Sequence, residues 1–417
     1  MQPTQADGRS MPPAAAASTG SGARPGYFLT TPTISASGPR GPRFAFFEDA
    51  FRPFYLLAAI FAAVAIPLWV VMWVYGVPST AIPALFWHGH EMVFGFGVAV
   101  IIGFLFTAAR NWTGLPLPSG VPLAFLVAMW LTARAGMFAF YGVAVAVIDV
   151  LLLLIVAVVL GIKFVRARNL GSIPLMAVLL SLCAANAVFH AAVLGTLTIS
   201  PIAATEAGLL CVVLVELIIG GRVVPAFTAS GAPGVRQFRS AALNWVAIAA
   251  ATLAILADLL PVGPVPAGAV AVTAGLLLLV QSIGWNPIAA LPKPMLWILH
   301  VSYAWIPVGL ILLGLSRFTD VPRSAAIHAL AVGSMGGLII GMMTRTALGH
   351  CGMPVRAGRA EIASFFLIVV SVAARLTAAL VPPVYNAGLV VAAGSWAAAF
   401  AIYAAAYGRR LVVKQAA

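Results

Sequence analysis

The chain has 417 residues, 62% of them hydrophobic and 8% charged, with a formal net charge of +13. A soluble globular chain is about 45–50% apolar and about 25% charged, so this composition excludes a water-soluble domain and predicts a polytopic membrane protein in a lipid bilayer. The basic residues are scattered between apolar runs, which excludes a nucleic-acid surface and makes them topogenic charges.

Residues 1–45 are rich in Pro, Gly, Ser and Ala and carry no apolar periodicity. They read as a disordered cytoplasmic tail ahead of a twelve-helix transmembrane domain over 46–410. The first apolar run starts only after residue 50, so no signal peptide is expected. FFEDAFRPF (46–54) reads as an interfacial lead-in, with aromatics at headgroup level and Arg52 beside the membrane. Twelve apolar runs follow, near 53–75, 88–109, 121–140, 142–162, 173–195, 202–224, 241–260, 264–284, 296–315, 325–345, 360–381 and 386–407. Each is long enough to cross a hydrocarbon core of about 30 Å as a helix. The predicted fold is therefore an all-α membrane bundle.

The charges predict its orientation. With the N-terminus inside, alternate connections hold Arg110, then Lys163, Arg166 and Arg168, then Arg222, Arg236 and Arg239. Lys293, then Arg345, Arg356 and Arg359, then Arg409, Arg410 and Lys414 continue on that side. The opposite connections hold only Arg317 and Arg323. That bias predicts both termini in the cytoplasm of a bacterial inner membrane. Cys183, Cys211 and Cys351 lie far apart with no CxxC, which excludes a disulfide framework and a thiolate zinc site.

An internal repeat is visible. His90 is followed by Gly103, and His328 by Gly341, at one spacing; the two histidines lie 238 residues apart (328 − 90 = 238). Arg134 and Arg375 lie at a nearly equal offset. The reading is three four-helix units, in keeping with the internal repeats of membrane folds.

The second run, WHGHEMVFGFGVAVIIGFLFTAARNWTG (87–114), opens on His88, His90 and Glu91. An ionisable residue inside a membrane segment is a functional candidate by default. His328 starts the tenth run and His190 ends the fifth, so these four histidines are expected to gather near the periplasmic end. His300 and His350 lie towards the cytoplasm. Imidazole suits iron, copper and zinc, so all six are candidate metal ligands. On a helix His88 and His90 stand about 200° apart, which allows two centres on opposite faces, or one ligand beside a supporting residue. Glu91 is about 60° from His88 and is expected to orient its ring. Arg134 and Arg375 are candidate partners for cofactor carboxylates, with headgroup snorkelling as the rival reading. Asp149, Glu206 and Glu216 read as proton-relay groups or as partners of the arginines.

FRPFYLLAAIFA (51–62), WHGHEMVFGF (87–96), ARNWTG (109–114), GGRVVPAFT (220–228) and HALAVGSMGGLIIGMMTRTALGHCG (328–352) resemble the NnrS family. The resemblance runs from about residue 46 to near the C-terminus and keeps the histidines of these motifs, His88, His90, His328 and His350. It implies a bacterial inner-membrane protein with haem b and copper. It also implies a part in the response to nitric oxide and nitrosative stress, beside denitrification. Nitric oxide or a derived small molecule is then the expected ligand, with Arg134 and Arg375 as partners for haem propionates. The resemblance assigns no reaction. A looser architectural likeness is to the catalytic subunit of haem–copper oxidases, with twelve helices in three units. The competing reading is a transporter for a metal, haem or a small anion, whose mark is broken helices at matching positions of the repeats.

Overall fold

The computed structural model describes residues 43–76 and 80–414. The expected N-terminal tail lies outside these residues up to position 42. Its last part, Arg43–Phe44 (β1), pairs antiparallel with Val413–Lys414 (β2), so the two ends of the domain meet.

Among the described residues, twelve helices are long and apolar enough to cross a membrane. They are α1 Phe51–Tyr75, α2 Ala84–Thr113, α3 Val121–Ala139, α4 Val143–Arg166, α5 Leu170–Val193 and α6 Pro201–Gly231. The second half is α7 Ala241–Leu259, α8 Pro264–Gly284, α9 Pro294–Leu315, α10 Arg323–His350, α11 Arg359–Leu380 and α12 Pro382–Val412. The all-α bundle and its twelve spans are as the apolar runs predict. Proline opens α6, α8 and α9, where its missing N–H would have no intrahelical partner. Gly114 closes α2 with φ +68°, and its N–H caps the Arg110 carbonyl at 2.9 Å. A left-handed cap of this kind suits glycine, which has no Cβ to strain.

Helices α2, α6 and α10 are the most enclosed of the twelve, and α3, α4, α7, α8, α11 and α12 keep outward faces. Phe125, Val158, Val280 and Phe366 are exposed on those outer faces, which a hydrocarbon solvent tolerates. Helix α1 packs on α12 and Arg52, itself buried, donates to the carbonyls of Arg410 and Leu411. The lead-in charge expected beside the membrane thus ties the first helix to the last.

The repeat has a structural counterpart. In α2 the α-helix changes to π-helical pairing over Glu91–Gly97, immediately after His90. In α10 the same change occurs over Ala329–Gly336, immediately after His328. The buried positions also keep register. Leu123, Val127, Trp130, Arg134 and Met137 of α3 match Ser364, Ile368, Ser371, Arg375 and Ala378 of α11. Asp149, Leu152, Leu153, Val156 and Leu160 of α4 match Leu389, Ala392, Ala393, Trp396 and Phe400 of α12.

Candidate functional site: two histidine pairs on opposite faces of one helix

The four histidines expected to gather do so as two pairs, not as one group. The cause is the spacing of His88 and His90, which sends them to opposite faces of α2.

His90 faces α3, α4 and α5 and is fully buried, as is Glu91. Its Nδ1 lies 3.0 Å from Glu91 Oε1, and its Nε2 lies 3.0 Å from Asn186 Oδ1 and 3.2 Å from Asp149 Oδ2. The Asn186 amide donates its Nδ2 to Asp149 Oδ2 at 2.9 Å, which fixes its carbonyl towards His90. Both ring nitrogens of His90 therefore face acceptors, the geometry of a doubly protonated ring. Arg134 donates through Nη1 to Glu91 Oε1 at 2.7 Å and through Nη2 to Asp149 Oδ1. Two carboxylates thus meet one guanidinium and one imidazolium, and the buried group balances its own charge.

His190 donates through Nε2 to Asp149 Oδ2 at 3.1 Å and faces the Tyr141 hydroxyl through Nδ1 at 3.1 Å. Tyr141 lies in the short link between α3 and α4. Its hydroxyl is pushed up to about 12, first by burial and then by the Asp149 carboxylate. His90, Asp149 and His190 offer ligand atoms within 4.8 Å of one another, a spacing that can hold a metal ion. A metal there would displace the two N–H groups that now bind Asp149.

Backbone approach makes this group possible. A Cβ on Gly95 would lie 2.6 Å from Arg134 Nη1 and 3.0 Å from Glu91 Oε2. The Trp130 indole donates to the Gly95 carbonyl at 3.0 Å and secures α3 on this side. The expected service of Glu91 to His88 is corrected here: Glu91 binds His90 and Arg134. Helix-wheel angles place a Cβ, but the reach of the carboxylate towards two cations decides the partner. Sequence reading missed Asn186 and Tyr141. Asn186 stands four residues before His190, on the same helical face, and that spacing was the available signal.

His88 and His328 line a cavity of about 310 Å³ on the other face of α2. His88 stacks on Trp69, with ring centres 4.0 Å apart, and its buried Nδ1 has no partner among the described residues. His328 donates its Nδ1 hydrogen to the Ser324 carbonyl at 2.7 Å, which leaves the Nε2 lone pair available. Met92 and Met335 line the same cavity. Arg375 borders it too, 7% exposed, and donates Nη2 to Ser324 Oγ at 3.1 Å. Its Nη1 is buried and has no partner among the described residues.

Glu206 also borders the cavity but is held elsewhere. Arg323 binds it at 2.7 Å and binds Asp258 at 2.7 Å, and Arg317 completes the set on Asp258. This two-plus-two group is balanced, and sequence reading missed it because Asp258 ends α7, far away in the chain. Glu216 accepts from Ser334. His300 pairs with Thr228 Oγ1 at 2.7 Å, and His350 packs against Phe51 at 5.5 Å between ring centres. Neither borders the cavity of His88 and His328.

Fold and site together define a multi-pass membrane protein with two buried histidine sites served by one shared helix. The NnrS protein family model matches residues 45–414, and the chain belongs to that family. No curated protein matches it.

Proposed function

We propose that the protein is a haem- and copper-binding protein of the bacterial inner membrane. In this reading it acts in the response to nitric oxide and nitrosative stress, in cells that denitrify. Both termini are cytoplasmic, so the histidine ends of α2 and α10 lie towards the periplasm. The observation that carries the reading is the cavity shared by His88 and His328. His328 is oriented as metal-binding histidines are, with one nitrogen tied to a carbonyl and the other free. His88 has an orphaned ring nitrogen in an apolar wall, and Met92 and Met335 add soft sulfur, which suits copper.

The residues therefore fit a metal at this cavity. His88 and His328 would be the chain's ligands for it, and Trp69 holds the His88 ring by stacking. Haem or copper held here would supply a site at which nitric oxide could bind or exchange electrons. The chain's part is to orient two imidazoles, to exclude water with an apolar wall, and to hold protons nearby. The group around Asp149 does the last, since His90, Asp149, His190 and Tyr141 form a continuous hydrogen-bonded series.

The test is an absorption spectrum with metal analysis of purified full-length protein. Near one haem per chain is expected, with loss in His88→Ala and His328→Ala and retention in His300→Ala. Colourless, metal-free wild-type protein would sink the reading. That result would favour the second reading, a transporter for a metal, haem or a small anion. The matched π-helical segments of α2 and α10 are the feature that bears on this rival, as changes of helical winding at corresponding positions of the repeat.

A further inference from the structure

The two arginines at one register of the repeat differ in their anions. Arg134 is buried with two carboxylates, Glu91 and Asp149. In the second copy the position of Glu91 is Ala329, and the position of Asp149 in the burial register is Leu389. Both matching positions hold apolar side chains. Arg375 has the same place, burial and charge, and among the described residues its one partner is a neutral hydroxyl and its Nη1 is unmet. The remaining acid beside it, Glu206, is committed to Arg323. A buried guanidinium without a counter-charge is costly, and here it faces a cavity large enough for a ligand.

We propose that this cavity is an anion site, in which Arg375 receives a carboxylate or small planar oxyanion beside His88 and His328. The guanidinium fork matches two oxygens of such a group, and Ser324 Oγ adds a neutral hydrogen-bonding partner at its rim. The inference names the ligand class of the cavity assigned above but does not require iron or copper. One chemistry covers two sources, a carboxylate carried by a bound cofactor and a free anion.

The test uses full-length protein in nanodiscs, exchanged into HEPES and titrated with formate, with HEPES salt at equal ionic strength as control. Thermal unfolding is followed by tryptophan emission and haem is counted in the same samples. Formate is expected to raise the unfolding midpoint of the wild type saturably. Arg375→Gln should weaken that response at least about tenfold, the loss of a charge-assisted pair. Leu389→Asp, which restores the acid of the first copy, should abolish the response and unfold no earlier than wild type. This variant decides the matter even if Arg375→Gln fails to fold.

A response in haem-loaded protein identifies a free anion. A response confined to haem-free protein, with haem lowered in Leu389→Asp, identifies a cofactor carboxylate. Colourless protein that responds to formate keeps the anion site and removes the haem reading. Equal formate responses in wild type and Leu389→Asp would overturn the proposal. So would the absence of any response in haem-loaded and haem-free protein with haem content unchanged in Leu389→Asp.

Discussion

Replacing Arg134 and Arg375 by glutamine should change stability by very different amounts. Arg134→Gln removes the cation shared by Glu91 and Asp149 and leaves two buried carboxylates with one imidazolium. Breaking a buried pair from one side costs about 3–5 kcal/mol, because the stranded charge remains in the interior. Arg375→Gln strands no charge of the chain. It gives up one hydrogen bond to Ser324, worth about 1 kcal/mol, and removes an unmet donor whose burial costs about 1–3 kcal/mol. The second change should therefore lie between about zero and about 2 kcal/mol on the stabilising side. The assay is reversible unfolding of haem-free protein in mixed micelles, with formate and similar anions absent. A gap of about 2 kcal/mol or more between the variants is expected. Equal losses, or a larger loss at Arg375, would refute the claim that one arginine is internally neutralised and the other is not.

Gly95→Ala should destabilise by about 1–3 kcal/mol, since the new methyl meets Arg134 Nη1; unfolding of the same kind measures it. Tyr141 favours its neutral form in the folded state, so its contribution is full below about pH 10 and fades as pH rises towards about 12. Tyr141→Phe should accordingly flatten the alkaline fall of the unfolding midpoint across that window, and an unchanged slope would contradict it. Cysteines placed at Ser119 and Thr319, both exposed in connections, should react with a membrane-impermeant reagent from opposite sides; same-side labelling would sink the orientation.

The fold was legible because lipid leaves a simple mark, long apolar runs separated by charge. The ends were less so. The run read as 202–224 is part of Pro201–Gly231, because Thr228 and Ser230 bond back to carbonyls of their own helix and so extend it despite their polarity. The repeat was readable from His90 and His328 with Arg134 and Arg375. Which histidines pair was only half readable. The spacing of His88 and His90 allowed two faces, but the partners depend on Asp149, Asn186 and His190, brought in by other helices. The choice of Glu91 for His90 and Arg134 was beyond helical geometry, since it follows from where two cations sit in the folded bundle.

The paired π-helical turns bear on ancestry. A π turn holds an extra residue within an α-helix, and such turns are rare. Two of them, each directly after a histidine at one register, are accounted for by a single gain in a helix that was later copied. The break is then older than the duplication. The charge difference between Asp149 and Leu389 is younger, because it distinguishes the copies. One copy holds a complete set of ions and is a closed brace, while in its sibling the matching positions are apolar. The asymmetry of the molecule is in this sense a division of labour between descendants of one helical unit.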